Sequence, residues 1–310
     1  MATLLLLVTI FFWGTAFRAS AIGAEHTSPI MLTALRAAPA ALVLLAALVL
    51  VRGRLPPRRL YGVTAVTGLL MVTLTLEGIS EGTARAGAAN AAILLNASPF
   101  FVLVLGRLFY GERAPWPAVA GLLLGFAGIV VMVSSQLGGI EDTGDFVLGM
   151  AFALAGALGW AIGVLVTKGL FTRHPDLDML GYTTGQYLVG GAVALALAFA
   201  IDGADGTGWS SGDLWSAVAW VAVGSSAIAT LTFFGALKRM PATTAMAWLF
   251  LAPVVAVITE IVYGNMPDAI VLAGMGLAIV GVAIVNAAPQ LSERLGAGRR
   301  VPWFSSAKAR

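Results

Sequence analysis

The chain has 310 residues, of which 59% are hydrophobic and only 11% charged, against about 25% charged in a soluble domain, so its surface cannot be one that faces water. The net charge is +3 and no cysteine occurs, which excludes disulfides, thiolate catalysis and Cys-ligated metals. The two histidines, His26 and His174, fall singly in separate predicted loops and supply neither a metal site nor a proton relay. Apolar runs of about 20 residues, the length that crosses a ~30 Å hydrocarbon core, recur along the whole sequence. They are uninterrupted rather than alternating, which selects helices over a barrel. The expected fold is an all-α integral membrane protein with ten transmembrane helices.

The first span, at about 3–23, lacks a basic segment before it and an Ala-x-Ala-like exit, and reads as a retained helix and not a cleaved leader. Thr9, Trp13, Phe17 and Ser20 share one of its faces. The second, at about 29–51, carries Arg36 roughly 10 Å inside its helix. The third, at about 60–80, shows a stripe of Thr64, Thr67, Met71, Thr75 and Gly78, with Glu77 beside it. The fourth, at about 84–107, contains Asn90, Asn96 and Pro99, and the fifth, at about 117–135, is spaced by Gly121, Gly125 and Gly128. In the sixth, at about 148–171, Ala153, Gly156, Trp160, Gly163 and Thr167 form one face. The seventh and eighth, at about 178–201 and 214–237, hold Gln186 and then Ser225, Ser226, Thr230 and Thr232. The ninth, at about 242–262, has Thr244, Trp248, Pro253, Thr259 and Glu260, and the tenth, at about 268–288, has Gly274 and Gly281.

Basic residues test this count, because cytoplasmic loops collect Lys and Arg. Fifteen of the eighteen fall on one side: Arg52, Arg54, Arg58, Arg59, Arg107, Arg113, Lys168, Arg173, Lys238, Arg239 and the five after Pro289. The other side holds Glu25, Glu81, Glu141, Asp142, Asp145, Asp202, Asp205, Asp213 and Asp268, with Arg85 the one base nearby. Both termini are therefore expected in the cytoplasm, with a bacterial inner membrane as the setting. The basic pI reflects this topology and an anionic inner leaflet; no nucleic-acid partner is implied.

The two halves repeat. Leu95-Asn96-Ala97-Ser98-Pro99 through Tyr110-Gly111-Glu112, then Gly121, Gly125 and Gly128, is echoed by Phe250-Leu251-Ala252-Pro253 through Tyr263-Gly264, then Gly274 and Gly281. At a similar offset Trp13 meets Trp160, and Arg36 roughly meets Gln186. The expected division is residues 1–138 and 139–290 as two five-helix units, followed by a basic tail, 291–310. An odd number of spans per unit inverts the second copy, and inverted pairs commonly hold a substrate site near the midplane between them.

On these residues the sequence resembles the EamA-type members of the drug/metabolite transporter superfamily: Trp13-Gly14 in the first span, the Pro99 helix leading to Gly111-Glu112, and the glycine-spaced fifth span, all echoed in the second half. Within that family it looks most like the YddG-type exporters of aromatic and other neutral amino acids. The resemblance implies a basket of two five-helix halves in which helices 1, 3, 4, 6, 8 and 9 line a central cavity. Asn265 departs from the pattern, standing where the first half has Glu112.

The expected cavity lining is Trp13, Phe17, Thr67, Met71, Thr75, Asn90, Trp160, Thr230 and Trp248. A tryptophan at mid-depth, away from the headgroup belt where it is enriched, either stacks on an apolar ligand or fills a helix interface. The hydroxyls either contact substrate or bond to their own and neighbouring helices. Pro99 and Pro253 mark helix kinks. Arg18, Arg36, Glu77 and Glu260 are intramembrane charges, functional candidates by default, and all four lie toward the outer helix ends, where they can snorkel to water. Arg36 is the deepest and needs a partner, either Glu77 or a substrate carboxylate. Glu112 is expected to cap its helix or pair with cytoplasmic bases. No metal, cofactor or catalytic constellation is implied. The expected function is export of neutral or aromatic amino acids or similar amphipathic metabolites by alternating access. A multidrug or organic-cation and polyamine exporter is the alternative if Glu77 lines the cavity. A sugar-phosphate carrier would want more mid-depth bases, and a channel or membrane enzyme lacks support. The partners are a small-molecule substrate and the bilayer, and a monomer is compatible with the sequence.

Overall fold

A computed structural model describes residues 1–111, 114–134, 143–203 and 205–294. Among them are ten helices long and apolar enough to cross a membrane: α1 (Ala2–Ala24), α2 (Pro29–Leu50), α3 (Arg58–Ala86), α4 (Ala88–Tyr110), α5 (Trp116–Val133), α6 (Gly144–Arg173), α7 (Met179–Ile201), α8 (Gly212–Leu237), α9 (Ala242–Val262) and α10 (Ala269–Glu293). The described residues contain no strand. Number and order are those the apolar runs predict. Ser28, Asp178 and Ser211 start α2, α7 and α8, accepting from the backbone N–H of Met31 (3.2 Å), Gly181 (3.1 Å) and Leu214 (3.2 Å) and so satisfying a donor that the helix itself leaves open.

One boundary differs from the sequence expectation. α3 continues through Glu81 and Arg85 to Ala86, because α6 supplies a partner for their charges: Arg85 donates to Glu81 at 2.7 Å and pairs with Asp145. Gly87, with φ of +84°, then turns the chain into α4, a backbone conformation natural to glycine.

Two kinds of irregularity occur at matching places in the halves. α4 is broken between Ala88–Leu95 and Ser98–Tyr110, with Pro99 in the first turn of the restarted helix. α9 passes from Ala242–Ala247 through a tight 3-10 turn, Trp248–Leu251, into Ala252–Val262, with Pro253 likewise in its first turn. A proline there forfeits no helical bond, since its N–H would lack a partner anyway. The second irregularity is a π-helical stretch, Leu69–Leu74 in α3 and Trp220–Ile228 in α8.

The packing repeats with the same five-helix offset. α1 lies against α8 and α9 as α6 lies against α3 and α4, while α5 runs along α10 and α2 along α7. The chain is thus two inverted five-helix halves. The α5–α10 seam is made by the glycines that recur in sequence. A Cβ at Gly128 would sit 2.5 Å from the Ala278 nitrogen, one at Gly274 2.6 Å from the Gly128 oxygen, and one at Gly281 2.4 Å from the Gly125 nitrogen. Close backbone approach is what associates helices in lipid, where no hydrophobic gain is available.

The largest buried cluster gathers Leu6, Tyr182, Phe233, Phe234, Leu237 and Met246, with Trp13, Trp160 and Trp248 packed on it. The Tyr182 hydroxyl is hydrogen-bonded to Thr67 Oγ1 at 2.9 Å and Thr167 Oγ1 at 3.1 Å, which ties α7 to α3 and α6 through buried hydrogen bonds.

Candidate substrate-binding site

The repeat-related tryptophans touch. Trp13 of α1 and Trp160 of α6 meet edge to face with centroids 5.5 Å apart, and Phe233 of α8 packs against them at 5.4 and 5.5 Å. Edge-to-face and tilted contacts at such separations are the favourable aromatic arrangements. Both tryptophans are half-buried. Trp13 Nε1 donates to the Ser225 carbonyl at 3.0 Å, whereas Trp160 Nε1 is buried without an acceptor among the described residues. A buried donor left open costs about 1–3 kcal/mol.

Arg36 of α2 reaches the same turn of α8. Its Nη2 donates to Ser225 Oγ at 2.6 Å and its Nε to Ser226 Oγ at 3.1 Å; both serines are 1% exposed. Of the two partners the sequence offered, Glu77 is not the one used, because the π-helical stretch of α8 brings two adjacent hydroxyls to the guanidinium. No carboxylate pairs with Arg36 among the described residues. The network extends through α7, where the Tyr187 hydroxyl is hydrogen-bonded to Thr230 Oγ1 at 3.0 Å.

Several predicted lining residues stand in helix interfaces. Thr67 bonds Tyr182 and the Val63 carbonyl. Met71 is 4% exposed, its sulfur accepts from Thr167 and Gln186 at 3.8 Å, and Gly163 makes room for it. Thr75 donates to the Leu70 carbonyl at 2.8 Å, a reach of five residues that the π-helical turn creates, and approaches the Gly156 carbonyl at 3.2 Å. Asn90 bonds back across the turn to Ala86 at the end of α3, and Asn96 to Ala92 of its own span, both at 2.8 Å. Phe17 is 49% exposed and outside the ring cluster. Trp248 donates to Asn286 of α10 at 3.2 Å, beside a shallow cavity of about 580 Å³ lined by Ala283, Asn286, Ala287, Gln290 and Leu291. That cavity is at the end of α10, away from the Trp13–Trp160 contact.

The charges divide. Arg18 and Glu260 pair at 3.1 Å across α1 and α9, with Arg18 also over the Tyr263 ring at 3.8 Å; the sequence offered no sign of this pair. Glu77 does not snorkel: it is 7% exposed and faces the Thr33 hydroxyl, which also shares a hydrogen bond with Ser80 at 2.9 Å. Glu112 lies outside the described residues. Phe233, Tyr182 and Tyr187 were not singled out beforehand, since an aromatic inside an apolar run carries no periodic mark.

The chain matches the EamA-like transporter family over residues 1–134 and 147–287. Similar proteins include the "Uncharacterized transporter YvbV" of Bacillus subtilis, 24% identical over 286 residues that make up 91% of this chain and 90% of that one. A "Probable terminal-alkyne amino-acid exporter" of Streptantibioticus cattleyicolor is 25% identical over 91% of this chain and 92% of its own length. A "Probable amino-acid metabolite efflux pump" of Escherichia coli is 28% identical over 54% of each chain. A solved crystal structure superposes with a TM-score of 0.78 at 25% identity, covering 95% of this chain and 98% of the other. With ten spanning helices in two inverted halves and a family match over almost the whole length, this chain is a multi-pass membrane protein that belongs to the EamA-like transporter family.

Proposed function

We propose that the protein exports neutral or aromatic amino acids, or similar small amphipathic metabolites, across a bacterial inner membrane by alternating access. The observation that carries this reading is the meeting of Trp13 and Trp160, one from each half, over Phe233. Rings placed between the halves form a wall that fits an apolar side chain, and the open indole N–H of Trp160 offers a donor to a polar group. The names of two relatives, an amino-acid exporter and an amino-acid metabolite efflux pump, agree with it. Alanine at either tryptophan is expected to lower transport of a large neutral amino acid about two- to twelve-fold more than that of a small one, the equivalent of roughly 0.5–1.5 kcal/mol for an aromatic contact. Uptake into liposomes, normalised to folded protein, measures this; equal proportional losses for both substrates would reduce the rings to packing. The buried carboxyl of Glu77, which no basic residue pairs among the described residues, favours organic cations as the alternative cargo. A polyamine or quaternary ammonium in the same panel, with Glu77→Gln beside the parent protein, distinguishes the two.

In the proposed orientation both termini are cytoplasmic. A reporter fused after Arg310, or inserted within residues 53–57, is then expected to report from the cytoplasm, and one inserted within 141–145 from the outside. Labelling of either basic segment from outside the cell would reverse the assignment.

A further inference from the structure

We propose that the Arg36 guanidinium, seated on Ser225 and Ser226, is the subsite that takes the substrate's carboxylate, next to the ring wall that takes its side chain. This inference rests on the amino-acid reading above and adds the polar half of the site.

Arg36 is half-buried in a membrane span, yet its hydrogen bonds go to the Ser225 and Ser226 hydroxyls. Hydroxyl dipoles fix the orientation of a guanidinium without neutralising it, and an arginine in this setting ordinarily pairs with an anion. Every other charged pair in the described spans is complete in itself: Arg18 has Glu260, and Arg85 has Glu81 and Asp145. Glu77, the one buried carboxylate on the neighbouring helix, makes no ion pair with Arg36. An ionised ligand oxygen supplies the missing charge, and the planar fork of arginine suits a carboxylate better than any other side chain does.

The location joins this charge to the rings. Ser225 receives Arg36 on its hydroxyl and Trp13 on its carbonyl, so one residue positions both the cation and the first ring of the wall. The second unsatisfied group nearby, Trp160 Nε1, is also a donor, and Trp160 meets Trp13 edge to face. The two open positions of the site therefore ask for the same thing, an acceptor, and one of them asks for a negative one. A molecule with an apolar body and a carboxylate answers both; an amide or an amine with the same body answers at most one.

The test titrates purified protein with L-phenylalanine and with L-phenylalaninamide, following the intrinsic fluorescence of the site tryptophans and the ligand-induced shift in melting temperature. The parent protein is expected to bind the acid about ten-fold or more tightly than the amide, the range of a charge-assisted hydrogen bond. Arg36→Gln is expected to abolish that preference, chiefly by weakening binding of the acid. If Arg36→Gln does not fold, Arg36→Lys, which keeps the charge and loses the fork, is expected to reduce the preference several-fold. Equal affinity for acid and amide in the parent protein, or a preference that survives either substitution, overturns the inference. If Trp13→Ala still weakens both ligands in that case, the aromatic wall stands and only the carboxylate subsite falls. Absence of binding by either ligand overturns the amino-acid reading together with the subsite.

Discussion

Gly281→Val is expected to abolish accumulation of folded protein, while Gly276→Val on the same helix leaves it unchanged. A Cβ at Gly281 would lie 2.4 Å from the Gly125 nitrogen, 2.6 Å from the Gly125 Cα and 2.7 Å from the Gly121 oxygen. All three are backbone atoms, so no rotamer change relieves the clash and α5 and α10 must separate along their whole seam. Overpacking in a core costs about 1–3 kcal/mol when side chains can adjust; here they cannot, and the lost contact is the force that holds helices together in lipid. Gly276 has nothing within 4 Å of the equivalent position, which makes it the internal control. Monodisperse yield in detergent, read by size-exclusion chromatography of a fluorescent fusion, checks the pair. Equal yields from the two variants would contradict the packing described for this seam.

Lys168→Met is expected to destabilise the protein by about 3 kcal/mol or more, at roughly 1.5–3 kcal/mol for each hydrogen bond to a charged donor. Lys168 is 8% exposed, and its ammonium donates to the Leu237 carbonyl at 2.7 Å and the Met240 carbonyl at 3.1 Å. The Leu237 carbonyl ends α8, where no further helical N–H can reach it and a cation is favoured by the helix dipole, and Met240 lies in the turn that follows. Methionine keeps the length and apolar stem but leaves the carbonyls without this donor. Lys238→Met is expected to cost much less: that side chain is half-exposed and its carbonyl partners, Pro175 and Leu177, can turn to water. A thermal melt in detergent separates the two, and similar melting temperatures would show that Lys168 carries no more weight than a surface lysine.

Lys168 also marks the limit of what sequence conveys. Its charge placed it on the basic side, and that was enough to count it among residues that set orientation. Its position inside a helix, bonded to a turn some seventy residues further along, has no sequence signature. Span number and order were legible because hydrocarbon thickness imposes a length on every apolar run. The end of α3 was not, because Glu81 and Arg85 look like a loop until Asp145 is brought beside them. The contact of Trp13 with Trp160 was half legible: the repeat made them equivalent, but only folding shows that equivalent positions on inverted halves meet at the axis between them. Thr67, Met71 and Thr75 do share a helix face, as their spacing indicates. Periodicity identifies a face without saying whether it looks at a cavity or at α6 and α7. The partners of Arg36 were hidden for a further reason, since Ser225 and Ser226 acquire their direction from a helical geometry that a period of 3.6 does not anticipate.

That geometry has a consequence for how α3 and α8 divide their labour. A π-helical stretch accommodates an extra residue in the turn, and each residue of an α-helix is about 100° of rotation. The part of α8 beyond Ile228 is thus phased independently of the part before Trp220. The first part buries Leu214, Ala217 and Val218, and the second presents Thr230 to Tyr187 and Phe233 to the tryptophans. Tightening the wide turn into an ordinary one would swing the distal segment around its own axis by about a quarter of a revolution while exchanging only a few backbone bonds. The same tightening at Leu69–Leu74 would turn the distal part of α3 in the other half, re-aiming the side chains beyond it without unwinding the helix.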